Sequence, residues 1–143
     1  MSFLLDTNVV SELRKPALKV DPGVLAWSEK HPLVEQFLSA VTVFELELGV
    51  ALKEQRDPAQ GKILRAWLES QVKPTFAGRI LPFDDAVAGY AARMHVNDPR
   101  PLADSFIAAT AQLHNLTVVT RNERDFTSFG VPCVNPWQEE QKH

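Results

Sequence analysis

A chain of 143 residues, 45% apolar and 23% charged, is long and apolar enough to bury a core without disulfide or metal staples, and reads as a single domain over residues 1–143. Its lone cysteine, Cys133, excludes an internal disulfide and a thiolate metal cluster, which favours a reducing, cytoplasmic setting. The net charge of −3 argues against nucleic-acid binding through a broad basic surface, and no apolar run reaches the ~20 residues that span a bilayer, so neither a signal peptide nor a membrane segment is expected.

Residues 3–5 form an apolar run of the buried-strand type, followed at once by Asp6-Thr7-Asn8. A first helix is predicted over 9–14, stopping before Pro16. Pro22-Gly23 reads as a turn, and 24–30 as a helix ended by His31-Pro32. Residues 34–43 fit strand or helix. From Thr42 the apolar spacing is helical, and Asp57-Pro58 opens another helix that Pro74 and Gly78 close. Residues 80–83 suit a short strand, 86–95 an Ala-rich helix, and 97–101 a rigid Pro-rich loop. A further helix covers 102–114, with Asn115 as a left-handed stop. Residues 116–120 are the clearest strand; 131–134 form a last one before Pro136 and a polar tail.

Helices alternating with short apolar strands predict an α/β domain on a parallel sheet. Ligands in such sheets bind beyond the carboxyl ends of the strands. Asp6-Thr7-Asn8 after the first strand and Arg121 to Asp125 after the strand at 116–120 fall at such places.

Four acids lie in settings that invite a second explanation. Asp6 can cap the helix that follows it. Thr42-Val43-Phe44-Glu45 has the form of a capping box, in which Glu45 would reach back to the helix start. Against that, Glu45 sits between Phe44 and Leu46 on a helix apolar nearly all round, where a carboxylate is costly unless a cation meets it. Asp104 opens a buried-looking helix whose dipole suits it, and Asp125 is compatible with a turn paired to Arg121 or Arg124. Several carboxylates in one pocket repel each other, and hard divalent cations such as Mg²⁺ or Mn²⁺ relieve that repulsion. Thr7, Asn8, Thr120 and Asn122 are the candidates for orienting such carboxylates or metal-bound waters.

Four stretches carry a family resemblance. Leu4-Leu5-Asp6-Thr7-Asn8-Val9-Val10-Ser11-Glu12-Leu13 resembles the opening of a PIN-domain nuclease. Val41-Thr42-Val43-Phe44-Glu45-Leu46-Glu47-Leu48-Gly49, Leu102-Ala103-Asp104-Ser105-Phe106-Ile107-Ala108-Ala109-Thr110-Ala111 and Val119-Thr120-Arg121-Asn122-Glu123-Arg124-Asp125-Phe126 are similar to its later acidic motifs, in order. Within the family the chain resembles the VapC- and FitB-like toxins of bacterial toxin–antitoxin pairs. The resemblance implies a three-layer α/β/α sandwich and a Mg²⁺- or Mn²⁺-dependent endoribonuclease acting on RNA, with Asp6, Glu45, Asp104 and Asp125 as metal-binding acids. It also implies a homodimer, able to enter larger complexes, held in check by a small DNA-binding antitoxin. The competing readings are a catalytically silent PIN-like binding protein and a Mg²⁺-dependent phosphatase. Against the phosphatase, Asp6-Thr7-Asn8 lacks a second Asp.

Other residues are more ambiguous. His31, His95, His114 and His143 lack zinc-motif spacing. Arg14, Lys15, Arg100, Arg121 and Arg124 near the acidic end suit either solvent or RNA phosphates. Trp67 with Ile63, Leu64 and Leu68 suits either the core or a groove for a partner.

Overall fold

The computed structural model describes residues 1–139; His143 and the end of the polar tail lie outside them. Five short strands, β1 (Phe3–Leu5), β2 (Gln36–Ser39), β3 (Ile80–Leu81), β4 (Thr117–Val119) and β5 (Cys133–Val134), pair in parallel. Their order is β3-β2-β1-β4-β5. Parallel neighbours need crossovers, and helices supply them. These are α1 (Thr7–Leu13), α2 (Pro22–Lys30), α3 (Ala40–Arg56), α4 (Pro58–Trp67), α5 (Lys73–Thr75), α6 (Asp85–Asn97), α7 (Leu102–Leu113), α8 (Arg124–Thr127) and α9 (Pro136–Glu139).

The strands read as unbroken apolar runs because both sheet faces are covered. Phe3, Leu5 and Val119 point to one face, where they pack with Val9, Val24, Trp27, Leu46, Val50 and Leu68 from α1, α2, α3 and the turn after α4. Leu4 and Val118 point to the other, against Ile107, Ala108 and Ala111 of α7 and Phe126 of α8. The result is the expected three-layer α/β/α sandwich. The chain runs outward from β1 to β3, then returns to lay β4 on the other side of β1. The carboxyl ends of β1 and β4 therefore flank the point where strand order reverses, the usual place for a site in an open α/β sheet.

Four local expectations change. Pro22-Gly23 is the start of α2 rather than a turn: Pro22 takes the first helical position, and the Asp21 carboxylate accepts the N–H groups of Gly23 and Val24 at 3.0 and 3.1 Å. A Cβ on Gly23 would collide with the Pro136 carbonyl, so this glycine lets α9, predicted as tail, lie against α2. The helix expected from Thr42 begins at Ala40, where the Ser39 hydroxyl accepts the Val41 N–H at 3.0 Å. Pro74 does not break the helical run. After α4 the chain makes one π-helical turn, Leu68–Val72, and the helical run carries on through Pro74 to Thr75. Asn115, by contrast, ends α7 in the left-handed conformation, at φ 56°, as expected.

Candidate active site

The site is built at the strand-order reversal. Asp6 follows β1 directly, and its N–H donates to the Val119 carbonyl of β4 at 2.9 Å. Its carboxyl is buried, 8% exposed, and carries two short hydrogen bonds. Oδ1 accepts the Thr7 N–H at 2.8 Å, and Oδ2 accepts the Thr120 hydroxyl at 2.8 Å. Asn8 adds longer bonds of 3.4 Å from Nδ2 to Asp6 and to Thr120, while its Oδ1 accepts the Arg121 N–H. Asp6 is thus both the cap of α1 and an acid aimed at the sheet's carboxyl edge.

Glu45 reaches the same place from α3. Since the helix starts at Ala40, Glu45 stands in the second turn, out of reach of any capping box. The Thr7 hydroxyl donates to its Oε1 at 2.7 Å, tying α3 to the start of α1. Asp104 enters from the first turn of α7, and its half-buried carboxyl has no hydrogen-bond partner among the described residues. Asp125 enters from α8. Its partner is neither Arg121 nor Arg124 but Arg100, whose Nη1 lies 3.3 Å from Oδ1. Arg121 instead lies over the Trp137 ring, 5.3 Å from its centre.

The four acids act on each other electrically. Burial pushes the Asp6 carboxyl above its ordinary range, with Glu45 and Asp125 adding to the rise against the bonds from Thr120 and Thr7. Burial also lifts Asp104, to about 6, and the charges of Asp125, Asp6 and Glu45 push the same way against the pull of Arg100. Thr7, Asn8 and Thr120 orient the carboxylates through their side chains. Asn122 departs from expectation, since only its backbone N–H takes part, donating to the Thr120 hydroxyl at 3.0 Å.

A comparison with known families matches residues 3–131 to the PIN domain. The chain belongs to the PIN-domain family. Toxin FitB of Neisseria gonorrhoeae is 44% identical to it, over 96% of this chain and 99% of its own. VapC ribonuclease Y4jK of Sinorhizobium fredii is 41% identical, over 95% and 98%. Among solved structures, FitAcB from Neisseria gonorrhoeae superposes with a TM-score of 0.86 at 42% identity, covering 94% of this chain and 98% of that one. FitAB bound to a DNA fragment superposes at 0.83 and 39% identity, with 99% of both chains covered.

In this PIN domain the donors at the site are all oxygen atoms, the set that hard divalent cations prefer. Among the described residues no three acidic, His or Cys side chains are already arranged to hold a metal ion. The four carboxylates converge and repel without closing on a common point, which is compatible with a cation that draws them together. Among the described residues no histidine joins them. His31 lies 4.7 Å from the rings of Phe3 and Trp27, His95 bonds Ser105 at 3.1 Å, and His114 ends α7. Trp67 is half-buried, packed on the core of the α1–α4 face, and lines a cleft with Leu13, Gln71 and Phe76.

Sequence reasoning missed the burial of one charged group and the pairing of another. Glu12 is 9% exposed at the far end of α1, where it accepts the Asp21 N–H at 2.9 Å and pairs with Lys15 at 2.9 Å, fixing the approach to α2. The spacing of Glu12 and Lys15 was visible, but a surface pair would show it equally. Arg100 was one of several cations at the acidic end, and its tie to Asp125 spans 25 residues that no local pattern links.

Proposed function

We propose that this PIN-domain chain is an endoribonuclease dependent on Mg²⁺ or Mn²⁺, acting as the toxin of a toxin–antitoxin pair. The observation that carries the proposal is the convergence of carboxylates from β1, α3, α7 and α8 on one strand-order reversal, where burial first and the neighbouring acids second lift Asp104 to about 6. An acidic cluster of one buried and three partly exposed carboxylates, with a single ion pair among the described residues, fits the binding of a cation better than a structural role. The relatives named as a ribonuclease and as a toxin support the same reading, since they match nearly the full chain.

Asp6, Glu45, Asp104 and Asp125 would hold the metal. When bound, a divalent ion activates water, orients a phosphodiester and offsets the charge of the leaving oxygen. The chain's own part is positional. Thr120 and the Thr7 N–H fix both oxygens of Asp6, so its carboxylate plane does not rotate. The Thr7 hydroxyl holds Glu45 from the other side. Asp104 keeps its oxygens free for a ligand.

The toxin role brings a partner with it. The neighbouring FitAB structure bound to a DNA fragment supports a small DNA-binding antitoxin as that partner, and a homodimer able to enter a larger assembly is part of the same proposal. Phe44, Leu48 and Leu52 recur every four residues on α3 and are 63%, 47% and 43% exposed, an apolar stripe that suits such contacts. A cytoplasmic setting agrees with the single cysteine, and among the described residues no helix is long and apolar enough to cross a membrane.

Induction of the chain alone in a bacterial host is expected to arrest growth. The Asp6→Asn variant should not arrest it, and co-expression of a small neighbouring reading frame should restore growth. Harmless induction of soluble wild-type protein would count against the toxin role.

A further inference from the structure

Four carboxylates gather at the site, and the chain carries a net charge of −3, so a polyanionic substrate meets an adverse field unless the site supplies positive charge of its own. Among the described residues, Arg100 is the one cation bonded to any of the four acids. Its setting differs from that of an ordinary surface arginine. Arg100 and Asp98 each precede a proline, Pro101 and Pro99, and both are thereby confined to extended backbone. Pro101 leads straight into α7, and its carbonyl accepts the Asp104 N–H at 3.0 Å, so the loop that carries Arg100 is continuous with the helix that carries Asp104.

The guanidinium is anchored at one end only. Nε donates to Asp98 Oδ1 at 3.2 Å, and Asp98 is itself held by Ser128 just after α8. The outer end makes a single 3.3 Å contact through Nη1 to Asp125, and Nη2 has no acceptor among the described residues. With the side chain 31% exposed, a long single-point ion pair of this kind is weak and exchanges readily. An arginine fork pairs far better with a phosphate, which can accept both outer nitrogens. Of the other cations at this end, Arg121 is stacked on Trp137 and Lys15 is paired with Glu12, while Arg14 and Arg124 make no ion pair with any of the four acids among the described residues.

We infer that Arg100 is a phosphate-binding residue of this site, resting on Asp125 in the free protein and turning to the RNA backbone when the carboxylates take up their cation. This rests on the metal-nuclease reading above. Once Asp125 shares its charge with a metal ion, the attraction that holds Nη1 weakens. The Asp98 anchor then keeps the guanidinium at the rim of the site, with its outer face open to a phosphate. Arg100 also competes with the cation for Asp125, so the same residue sets both metal affinity and substrate affinity, in opposite directions.

Arg100→Gln and Arg100→Lys test this in the full chain with two binding measurements. Calorimetric titration with Mn²⁺, without nucleic acid, should show Arg100→Gln binding the metal a few-fold more tightly than wild type. Fluorescence anisotropy with a 2′-O-methyl oligoribonucleotide, in Mg²⁺, should show about tenfold weaker binding and a salt-dependence slope lower by about one. Arg100→Lys should keep the wild-type slope but still lose affinity, because a point charge cannot replace the fork. Wild-type oligonucleotide affinity and slope in Arg100→Gln would overturn the assignment, as would weaker Mn²⁺ binding. If wild type itself takes up no Mn²⁺, the nuclease reading fails first; if it binds Mn²⁺ and the variant behaves as wild type, only the role of Arg100 fails.

Discussion

The Thr120 hydroxyl donates to Asp6 at 2.8 Å and accepts the Asn122 N–H at 3.0 Å, so one buried side chain links the end of β1 to the loop after β4. Thr120→Val keeps the shape and removes both of these bonds, together with the longer one from Asn8. It is expected to weaken Mn²⁺ binding by roughly 10–100-fold, as loss of a group that orients a metal ligand does. It should also cost about 1–2 kcal/mol of stability, because a carboxylate and an N–H lose partners; calorimetry and urea melts read the two effects. Asp104 makes the opposite kind of contribution. Its folded pKa of about 6 lies above the ordinary 3.8, so between those values the folded chain holds a proton that the unfolded chain releases. Stability of the metal-free protein therefore falls as pH rises from about 4 to 6. Asp104→Asn should remove that fall, gaining roughly 1–2 kcal/mol at pH 7.5, allowing for solvent screening of a half-exposed group, and almost nothing at pH 4. Urea melts with chelator at both pH values check it; equal effects at the two would contradict it.

At the scale of elements, α3 shows why local pattern placed some features and not others. Ser39 and Thr42 are both acceptable caps, and the choice between them follows from β2, which runs straight into the helix and leaves Ser39 at the boundary. Thr42 then falls inside, fully buried, with no hydrogen-bond partner for its hydroxyl among the described residues. Ser39→Ala is expected to cost about 1 kcal/mol through the lost cap. Thr42→Val should be neutral or stabilising by up to about 1 kcal/mol, since it removes an unmet hydroxyl. Thermal melts of the two variants distinguish the caps, and a loss at Thr42 comparable to that at Ser39 would restore the capping box. Elements whose signals are local, such as β4 and the Asn115 stop of α7, were legible. Those that depend on distant contacts were not: α9 is held on α2 through Gly23, and Asp125 is paired with Arg100.

For the molecule as a whole, the alternation of strands and helices was enough to predict the sandwich and the edge where a site should lie. The strand order needed the structure, because nothing local states that β4 crosses back to pair with β1. That return brings Thr120 to Asp6, and α7 and α8 carry Asp104 and Asp125 to the same edge. Residues far apart along the chain thus meet where the helix dipoles and strand ends favour a ligand. The acids were legible as candidates through their burial-prone settings and family motifs, while their mutual effects and the Arg100 contact arise only once the sheet closes. The central claim is that these carboxylates act through a divalent cation. It is tested most directly by following cleavage of a labelled RNA with chelator-treated protein before and after Mg²⁺ or Mn²⁺ is returned. No cleavage before and full recovery after, with no recovery in Asp6→Asn, is the expected result. Cleavage that persists in excess chelator, or that recovers fully in Asp6→Asn, would contradict it.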